Sequence, residues 1–291
     1  MRKLLNTLYV VTPETYLSLD GENIVLLQRD AEQRRIPLHN IESIVSFGYS
    51  GASPALMGEC AKRGIALMFM TAGGRFLAQV VGESKGNVLL RKTQYRISDD
   101  PSLSCTVARN MVFGKIFNAR WVLERALRDH ALRVDAERLD SASAYLKQSA
   151  DSARFCEDLE QLRGFEGRSA NRFFDVFDEM ILQQKEDFRF ERRSRRPPLD
   201  RINALLSFLY TLLSQDCAAA LSAVGLDPYV GFLHRDRPGR PSLALDLMEE
   251  LRPALADRLA LSLINLRTLS AVDFIEREDG AVFLNDDGRK A

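Results

Sequence analysis

The sequence predicts an α+β protein in which an N-terminal, mostly antiparallel β domain precedes a larger all-α-helical domain. Two observations lead to this fold class. The first eighty-odd residues consist mainly of short β-branched and aromatic runs separated by turns. From about residue 85 onward, apolar residues recur instead at three- and four-residue steps, which is typical of helices. This change predicts two domains, residues 1–84 and residues 85–291.

The predicted strands of the N-terminal domain are "TLYVVT", "TYLSLDGENIVLLQ", "RRIPLHN" and "ESIVSFG", followed after a helix by "IALMFM" and "RFLAQVVG". Turn residues such as Asp20-Gly21 separate them. The single predicted helix of this domain is "SPALMGECAKRG". Ser53 can cap its start, and Gly64 can end it.

The C-terminal domain is predicted to be helical over four stretches: "VARNMVFGKIFNARWVLERALRDH", "SASAYLKQSADSARFCEDLEQL", "SANRFFDVFDEMILQQ" and "DRINALLSFLYTLLSQDCAAALSAVG". The last stretch follows Pro197-Pro198, with Asp200 as a candidate cap, and ends at Gly225. A hairpin is predicted near the C-terminus, around Asp279-Gly280.

Composition predicts a soluble, cytoplasmic protein with a substantial core. Apolar residues make up 46% of the 291 positions, and four widely separated cysteines without a C-x-x-C pair favour reduced thiols. We predict no signal peptide, and no stretch approaches the roughly 20 apolar residues of a membrane span. Forty basic and forty acidic residues cancel, but a neutral total does not exclude nucleic acid, because phosphate binding depends on local patches.

A candidate metal site lies in "GFLHRDRPGRPSLALDLMEELRP". Asp246, Glu249 and Glu250 fall within about 100° of one helix face, and the turn "RDRPGRP" can bring His234 onto it. An imidazole with two carboxylates is a reasonable ligand set for Mg²⁺ or Mn²⁺. Two alternatives stay open: the acidic face is simply solvated, which D-x-x-E-E alone favours, and His234 is a capping or core histidine.

Further candidates lie in "RGFEGRSANRFF", where Glu166 has glycines on both sides as a possible third ligand. Arg168 and Arg172 share a helical face there and could bind phosphate oxygens. The alternative for Glu166 is an exposed glutamate in a first helical turn. The stretch "RFERRSRRPPLDR" has six arginines against two acids, which indicates either a phosphate-binding strip or a solvated linker. Its candidate phosphate-binding residues are Arg192, Arg193, Arg195 and Arg196.

A polar stripe follows one face of the last predicted long helix, which is otherwise apolar. It consists of Asn203, Ser207 and Tyr210, spaced at i, i+4 and i+7. Buried polar groups need hydrogen-bond partners. The stripe therefore either lies behind the candidate site or forms hydrogen bonds between helices.

Taken in order, "GENIVLL", "RRIPLHNIESIVSFG", "LRGFEGRSANRFF", "DRINALLSFLY", "GLDPYVGFLH" and "RPSLALDLMEELRP" resemble the family of CRISPR-associated protein 1, the integrase subunit of CRISPR spacer acquisition. The resemblance extends over essentially the whole chain. It implies a homodimer formed mainly through the β domain, a catalytic helical domain, and binding to dimers of CRISPR-associated protein 2. The family usually continues further, so we expect additional chain beyond Ala291.

The resemblance also implies site residues and an activity. The family's Glu maps to Glu166 and its His to His234, while the second acid maps to Glu249, with Asp246 as an auxiliary or alternative ligand and Glu250 outside the shell. The implied function is a Mg²⁺- or Mn²⁺-dependent integrase and endonuclease that inserts short double-stranded DNA fragments into the CRISPR repeat array by transesterification. Two alternatives are a metal-dependent nuclease that cleaves without joining, and a non-catalytic DNA-binding assembly subunit.

Overall fold

A computed structural model describes residues 6–29, 33–82 and 88–291. Contacts divide the chain into two compact units, which are Met1–Lys85 with Asn285–Lys290, and Gly86–Leu284 with Ala291. The predicted domain boundary between residues 84 and 85 lies outside the described residues and stays a prediction. The fold class is confirmed, since β-sheets characterise the first unit and helices dominate the second.

The first unit contains two sheets and a helix. Its elements are β1 (Thr7–Val10), β2 (Tyr16–Asp20), β3 (Asn23–Leu27), β4 (Arg34–Pro37), β5 (Ser43–Phe47), α1 (Pro54–Arg63), β6 (Ala66–Met70) and β7 (Phe76–Val80). Strands β2, β3 and β4 form an antiparallel sheet. The other sheet has the order β1-β5-β6-β7, and its β1–β5 and β5–β6 pairs are parallel. These parallel pairs were not predicted; α1 provides the crossover that the β5–β6 pair requires.

Helix α1 begins and ends where its sequence predicts. The Ser53 hydroxyl accepts a hydrogen bond from the Leu56 backbone N–H, and Gly64 ends the helix with a φ of 71°. A side chain is rarely tolerated at that φ, which explains the glycine. The helix buries Leu56 and Cys60 in the core of this unit.

The second unit is built from helices and a terminal hairpin. Its elements are α2 (Val88–Asp99), α3 (Pro101–His130), α4 (Ala136–Arg154), α5 (Leu159–Phe174), α6 (Arg201–Ala223), α7 (Ser242–Leu251), α8 (Arg258–Asn265), β8 (Phe274–Glu276) and β9 (Val282–Leu284). Helix α9 (Asp286–Lys290) groups with the first unit. The 30-residue α3 packs against α4, α5 and α7, so it contacts the helices that carry most of the candidate site.

Several helix limits differ from the sequence prediction. The stretch predicted as one helix from residue 141 to 162 is broken, because α4 ends at Arg154 and Asp158 caps a new helix by accepting from the Gln161 N–H at 2.6 Å. The next predicted helix also ends early, at Phe174, and a short 3₁₀ turn, Phe177–Met180, follows. The Asp200 cap of α6 and the hairpin at Asp279-Gly280 are confirmed.

Helix α6 is long and apolar enough to cross a membrane by length and composition, in contrast to the prediction that no stretch approaches this limit. The criterion is weak, because the core helix of a water-soluble domain also meets it. Helix α6 buries nine residues within the helical unit, including the polar Asn203 and Tyr210, which form hydrogen bonds there. These contacts are typical of a core helix.

Candidate active site

Three helices and one loop bring the candidate site together within the helical unit. Helix α5 carries Glu166, and α7 carries Asp246 and Glu249. His234 lies in the loop that precedes α7, and Lys115 projects from the buried face of α3. The acidic face of α7 is therefore an interior surface: Asp246 is 0% and Glu249 is 5% exposed, which rules out the solvated-face alternative.

Asp246 organises the loop that carries His234. Its Oδ2 accepts backbone N–H bonds from Phe232 at 2.6 Å and Leu233 at 2.9 Å, and its Oδ1 accepts from the His234 N–H at 2.9 Å. The same Oδ1 lies 2.6 Å from Nδ1 of the imidazole. A buried carboxylate needs such donors, and here they fix both the loop and the orientation of the ring. With Nδ1–H donating to Asp246, the lone pair of the imidazole is on Nε2.

The loop can approach Asp246 this closely because residue 231 is glycine. A Cβ at Gly231 would lie 2.8 Å from Ser242 Cβ and 2.9 Å from Asp246 Oδ2, both below normal contact distances. Arg163, one turn before Glu166 on α5, donates from Nε to the Leu233 carbonyl at 2.8 Å. The path of the loop is thus fixed from α7 on one side and from α5 on the other.

Lys115 joins the two glutamates of the site. Its ammonium donates to Oε1 of Glu166 and lies 2.5 Å from Oε2 of Glu249. The lysine side chain is only 9% exposed, whereas Glu166 is 26% and His234 is 30% exposed at the side chain. Two carboxylates therefore converge on one positive charge at the boundary between the interior and solvent.

The second oxygen of Glu249 faces another cation. Oε1 of Glu249 accepts from the Arg252 guanidinium at 2.6 Å. Burial alone would raise the pKa of Glu249, but the adjacent Arg252 and Lys115 cations outweigh it and hold the pKa well below its usual range. Glu249 is consequently a permanently charged acceptor at neutral pH.

A polar network continues behind Arg252. The guanidinium lies over the Tyr210 ring at 4.1 Å from its centroid, and the Tyr210 hydroxyl donates to Asp257. Burial raises the pKa of Asp257 to about 6, although the cationic Arg252 opposes this shift. Of the residues in the predicted polar stripe, Tyr210 lies behind the site, and its hydrogen bond joins α6 to Asp257, which follows α7 in the chain. The buried Ser207 hydroxyl has no hydrogen-bond partner among the described residues.

Glu250 lies apart from this cluster. Its side chain packs against α3, where a Cβ at Gly114 would meet Glu250 Cγ at 2.7 Å, and its carbonyl accepts from Asn118 at 2.8 Å. In the described part of the chain, no three His, Cys, Asp or Glu side chains are arranged as a ready metal-binding group. The reason is visible in the geometry: the Lys115 ammonium occupies the point where Glu166 and Glu249 converge.

The arginines predicted to bind phosphate differ in their placement. Arg168 is exposed with its guanidinium 5.2 Å from the Phe165 centroid, and Arg172 donates to Ser141 Oγ at 2.9 Å. Three arginines of the strip are exposed, namely Arg192, Arg195 and Arg196.

Arg193 does not belong with the phosphate-binding strip and is a correction to the prediction. It points inward, lies over Phe174 and Tyr210, and donates to Asn203. Burial lowers the pKa of Arg193. Its guanidinium is therefore engaged inside the helical unit rather than presented to solvent.

Sequence reasoning did not single out Lys115, Arg163 or Arg252. A signal existed for Lys115, because it stands within the apolar stripe of α3, three residues after Val112 and four before Ala119. A lysine on a core-facing stripe needs a buried partner. Arg252 is three residues after Glu249, a spacing at which helical side chains meet.

The fold of this chain matches several solved structures. The structure of the CAS1 protein TM1797 from Thermotoga maritima matches 98% of this chain and 86% of that chain, with a TM-score of 0.81 and 26% identity. At 23% identity the fold also matches a casposase bound to integration product (TM-score 0.78; 98% of this chain, 80% of that chain). A Cas6-RT-Cas1–Cas2 complex matches at 23% identity as well (TM-score 0.79; 100% of this chain, 32% of that chain).

Sequence relatives and a family model then give the family. The model of the CRISPR associated protein Cas1 family matches residues 8–291. The chain is 51% identical to CRISPR-associated endonuclease Cas1 1 of Chlorobaculum tepidum over 100% of this chain and 84% of that protein. It is 52% identical to CRISPR-associated endonuclease Cas1 2 of Rhodospirillum rubrum over 100% of this chain and 85% of that protein. The chain belongs to the Cas1 family.

Proposed function

We propose that this protein is a nuclease and integrase of CRISPR adaptation, which inserts short double-stranded DNA fragments into the CRISPR repeat array and can also cleave DNA. The Cas1 family membership and the relatives described as endonucleases support the nuclease class. The observation that carries the proposal for this chain is the convergence of Glu166 and Glu249 on one cation position beside an oriented His234.

The residues at this position fit a divalent cation, Mg²⁺ or Mn²⁺. Oε2 of Glu249 is buried, and the contact that the structure gives it is the Lys115 ammonium at 2.5 Å, a cation position that a metal ion could take. Carboxylate oxygens suit both ions, and Mn²⁺ accepts an imidazole nitrogen more readily. Glu166, Glu249 and Nε2 of His234 would hold the ion. When bound, it would polarise a DNA phosphate and stabilise the charge that develops during the reaction.

Asp246 is better suited to positioning than to direct ligation. Both of its oxygens already accept hydrogen bonds from the loop, and the residue has no exposed surface. A carboxylate that orients a ligating imidazole is a common second contact in metal sites. Between the two candidate acids, we therefore assign the direct contact to Glu249 and the orientation of His234 to Asp246.

The proposed reaction is an exchange of phosphodiester bonds. The 3′-hydroxyl oxygen of the incoming fragment attacks a backbone phosphorus at the edge of a repeat, and the bond to the leaving 3′ oxygen breaks. One strand is cut and joined in this single step, and water in place of the hydroxyl gives cleavage. The chain contributes charge and positioning: Glu166 and His234 are partly exposed, while exposed arginines and the half-buried Arg172 hold neighbouring phosphates. The arginines proposed for this role are Arg168, Arg172, Arg192, Arg195 and Arg196.

The proposed partners are double-stranded DNA, a second copy of this chain and a dimer of CRISPR-associated protein 2. Related structures contain Cas2 in one case and DNA in another, which supports the first and third of these. The β unit leaves large apolar side chains exposed, including Tyr49 and Phe76, as a dimer surface requires. We further propose a cytoplasmic location, because the four cysteines are buried and unpaired.

A strand-transfer assay tests the proposal. A labelled short duplex is incubated with a supercoiled plasmid carrying a repeat, in the presence of CRISPR-associated protein 2 and either Mn²⁺ or EDTA. We expect labelled plasmid only with Mn²⁺, and its loss in His234→Ala and Glu249→Gln. Glu250→Gln is the matched control, since this side chain lies outside the cluster.

Each of the other possible results of this assay supports a different interpretation. Nicked plasmid without label would favour a nuclease that does not join ends. DNA binding without metal-dependent product would favour a non-catalytic assembly subunit. Equal product from Glu249→Gln and wild type would contradict the assigned site.

A further inference from the structure

Lys115 stands where the proposed metal would be held, and nothing in the proposed reaction requires a lysine there. Its ammonium contacts Glu166 and Glu249 at once, and its side chain is 9% exposed. Holding a lysine in this geometry costs desolvation and side-chain entropy, which only the paired carboxylates offset. The contact is therefore a specific internal ion pair rather than an incidental surface contact.

In the chain of contacts from Glu166 through Lys115 and Glu249 to Arg252, two carboxylates already meet two cations. Glu166 and Glu249 contribute two negative charges, and Lys115 and Arg252 contribute two positive charges. A dication at the same position would lie directly beside the Lys115 ammonium in a largely buried place, which is unfavourable. Arg252 is fixed between Glu249 and the Tyr210 ring, so Lys115 is the cation that can leave.

The surroundings of Lys115 also give it room to move. A small, mostly apolar cavity adjoins its side chain; the lining includes Ile116, Ala119 and Phe173 as well as Arg252 and Asp257. The methylene groups of the flexible lysine stem can repack against such an apolar space when the ammonium leaves the glutamates, whereas a guanidinium held on an aromatic ring cannot move without breaking that contact.

We propose that Lys115 is an internal competitor for the divalent cation: its ammonium occupies the cation position between Glu166 and Glu249, and metal binding displaces it. This inference rests on the proposed metal site. It assigns Lys115 a regulatory role, because the lysine keeps the carboxylates paired in the metal-free protein and raises the metal concentration needed to load the site.

The test measures metal binding directly. Free Mn²⁺ is quantified by electron paramagnetic resonance during titration of full-length wild type, Lys115→Met and Lys115→Arg, without DNA. We expect Lys115→Met to bind Mn²⁺ about tenfold more tightly, because a competing positive charge is gone. Lys115→Arg keeps the charge and should stay within about threefold of wild type. Lys185→Met, at an exposed lysine, is the matched control and should not differ from wild type.

Thermal unfolding gives a second readout. Without metal, Lys115→Met should unfold roughly 10 °C below wild type, because two carboxylates lose their partner. Mn²⁺ should raise its unfolding temperature more than that of wild type. Unchanged or weaker Mn²⁺ binding by a folded Lys115→Met protein would overturn the inference.

Two controls separate this inference from the proposed function and from a folding failure. If Glu166→Gln and His234→Ala bind Mn²⁺ as wild type does, the proposed metal site itself is wrong. If they bind poorly but Lys115→Met does not bind more tightly, only the role of Lys115 is wrong. If Lys115→Met does not fold, a crystal structure of the wild type with bound Mn²⁺ tests the inference instead. We expect Lys115 Nζ to have left both glutamates. A Lys115 that still contacts both glutamates beside bound Mn²⁺ would contradict the inference.

Discussion

Asp246 illustrates how one side chain can determine the geometry of a site without facing its centre. Its two oxygens accept three backbone N–H bonds and one imidazole contact, all from residues 232–234. The carboxylate therefore fixes the loop, and the loop fixes His234. Its importance lies in the number of donors that would be left without an acceptor if it were replaced.

We predict that Asp246→Asn lowers the free energy of unfolding by about 2–4 kcal/mol. An amide has one acceptor oxygen, and its NH₂ group would face backbone N–H groups, so at least one buried donor loses its partner. His234→Ala should cost less than about 1 kcal/mol, since this side chain is partly exposed. Urea unfolding followed by circular dichroism measures both values.

The same pair of variants separates positioning from ligation at Asp246. If Asp246→Asn is as stable as wild type yet no longer binds Mn²⁺, then Asp246 is a direct ligand and the assignment to Glu249 is wrong. A stability loss larger than that of His234→Ala supports the organising role.

Among the elements, those whose signals are local could be predicted from the sequence. Ser53 and Gly64 delimit α1, and Asp200 caps α6, because cap residues contact groups only a few positions away. The break at Asp158 carried a similar cap signal that the surrounding helical periodicity obscured. The parallel pairs of the first sheet could not be predicted, since strand pairing depends on the path of the whole unit.

In the candidate site, too, some features could be predicted from the sequence and others could not. Glu166, His234 and Glu249 were identified from motifs, but the ion pair of Lys115 with Glu166 joins residues 51 positions apart, which no helical spacing indicates. The strip arginines look equivalent in sequence, and only the packing of Phe174 and Tyr210 distinguishes Arg193 from the others. The sequence alone does not determine which distant residues its charged side chains contact.

The junction between the His234 loop and α7 tolerates no side chain at residue 231. We predict that Gly231→Ala lowers the free energy of unfolding by about 2–3 kcal/mol and weakens Mn²⁺ binding, because the new Cβ would lie 2.9 Å from the Ser242 carbonyl carbon and displace the loop. Gly167→Ala is the matched control beside Glu166. No atom lies within 4 Å of its Cβ position, and alanine in a helix should stabilise α5 by up to about 1 kcal/mol.

Chemical unfolding and Mn²⁺ titration of both glycine variants measure these effects. The close approach of the loop to α7 is contradicted if Gly231→Ala unfolds at the wild-type urea concentration. A destabilised Gly167→Ala would contradict the open surroundings of that position.

For the whole molecule, the pH dependence of stability reflects buried charges more than net charge, since the forty acidic and forty basic residues cancel. Burial raises the pKa of Asp216, on α6, to about 6. Burial likewise raises the pKa of Asp257 to about 6, against the effect of Arg252. Both carboxyl groups hold a proton more tightly in the folded chain than in the unfolded one.

A raised carboxyl pKa stabilises the folded state below the unfolded pKa and loses that effect as the pH rises through the folded value. Between about pH 4 and pH 6 these two groups therefore bind more protons in the folded chain than in the unfolded chain, and their contribution to stability falls with rising pH. We predict that Asp216→Asn removes part of this slope. At pH 3, below both the folded and the unfolded pKa, the variant and wild type should be about equally stable, because the wild-type carboxyl is protonated in both states.

At pH 7.5, Asp216→Asn should be more stable than wild type by about 1–2 kcal/mol, a value reduced from the full shift because the group retains partial solvent contact. Urea unfolding at half-unit pH steps measures the difference, which should grow between about pH 4 and pH 6. A difference that is constant with pH would mean that burial does not perturb this carboxyl group. A variant less stable than wild type at pH 7.5 would mean that the charged carboxylate has a favourable partner, for example in an assembly with another chain.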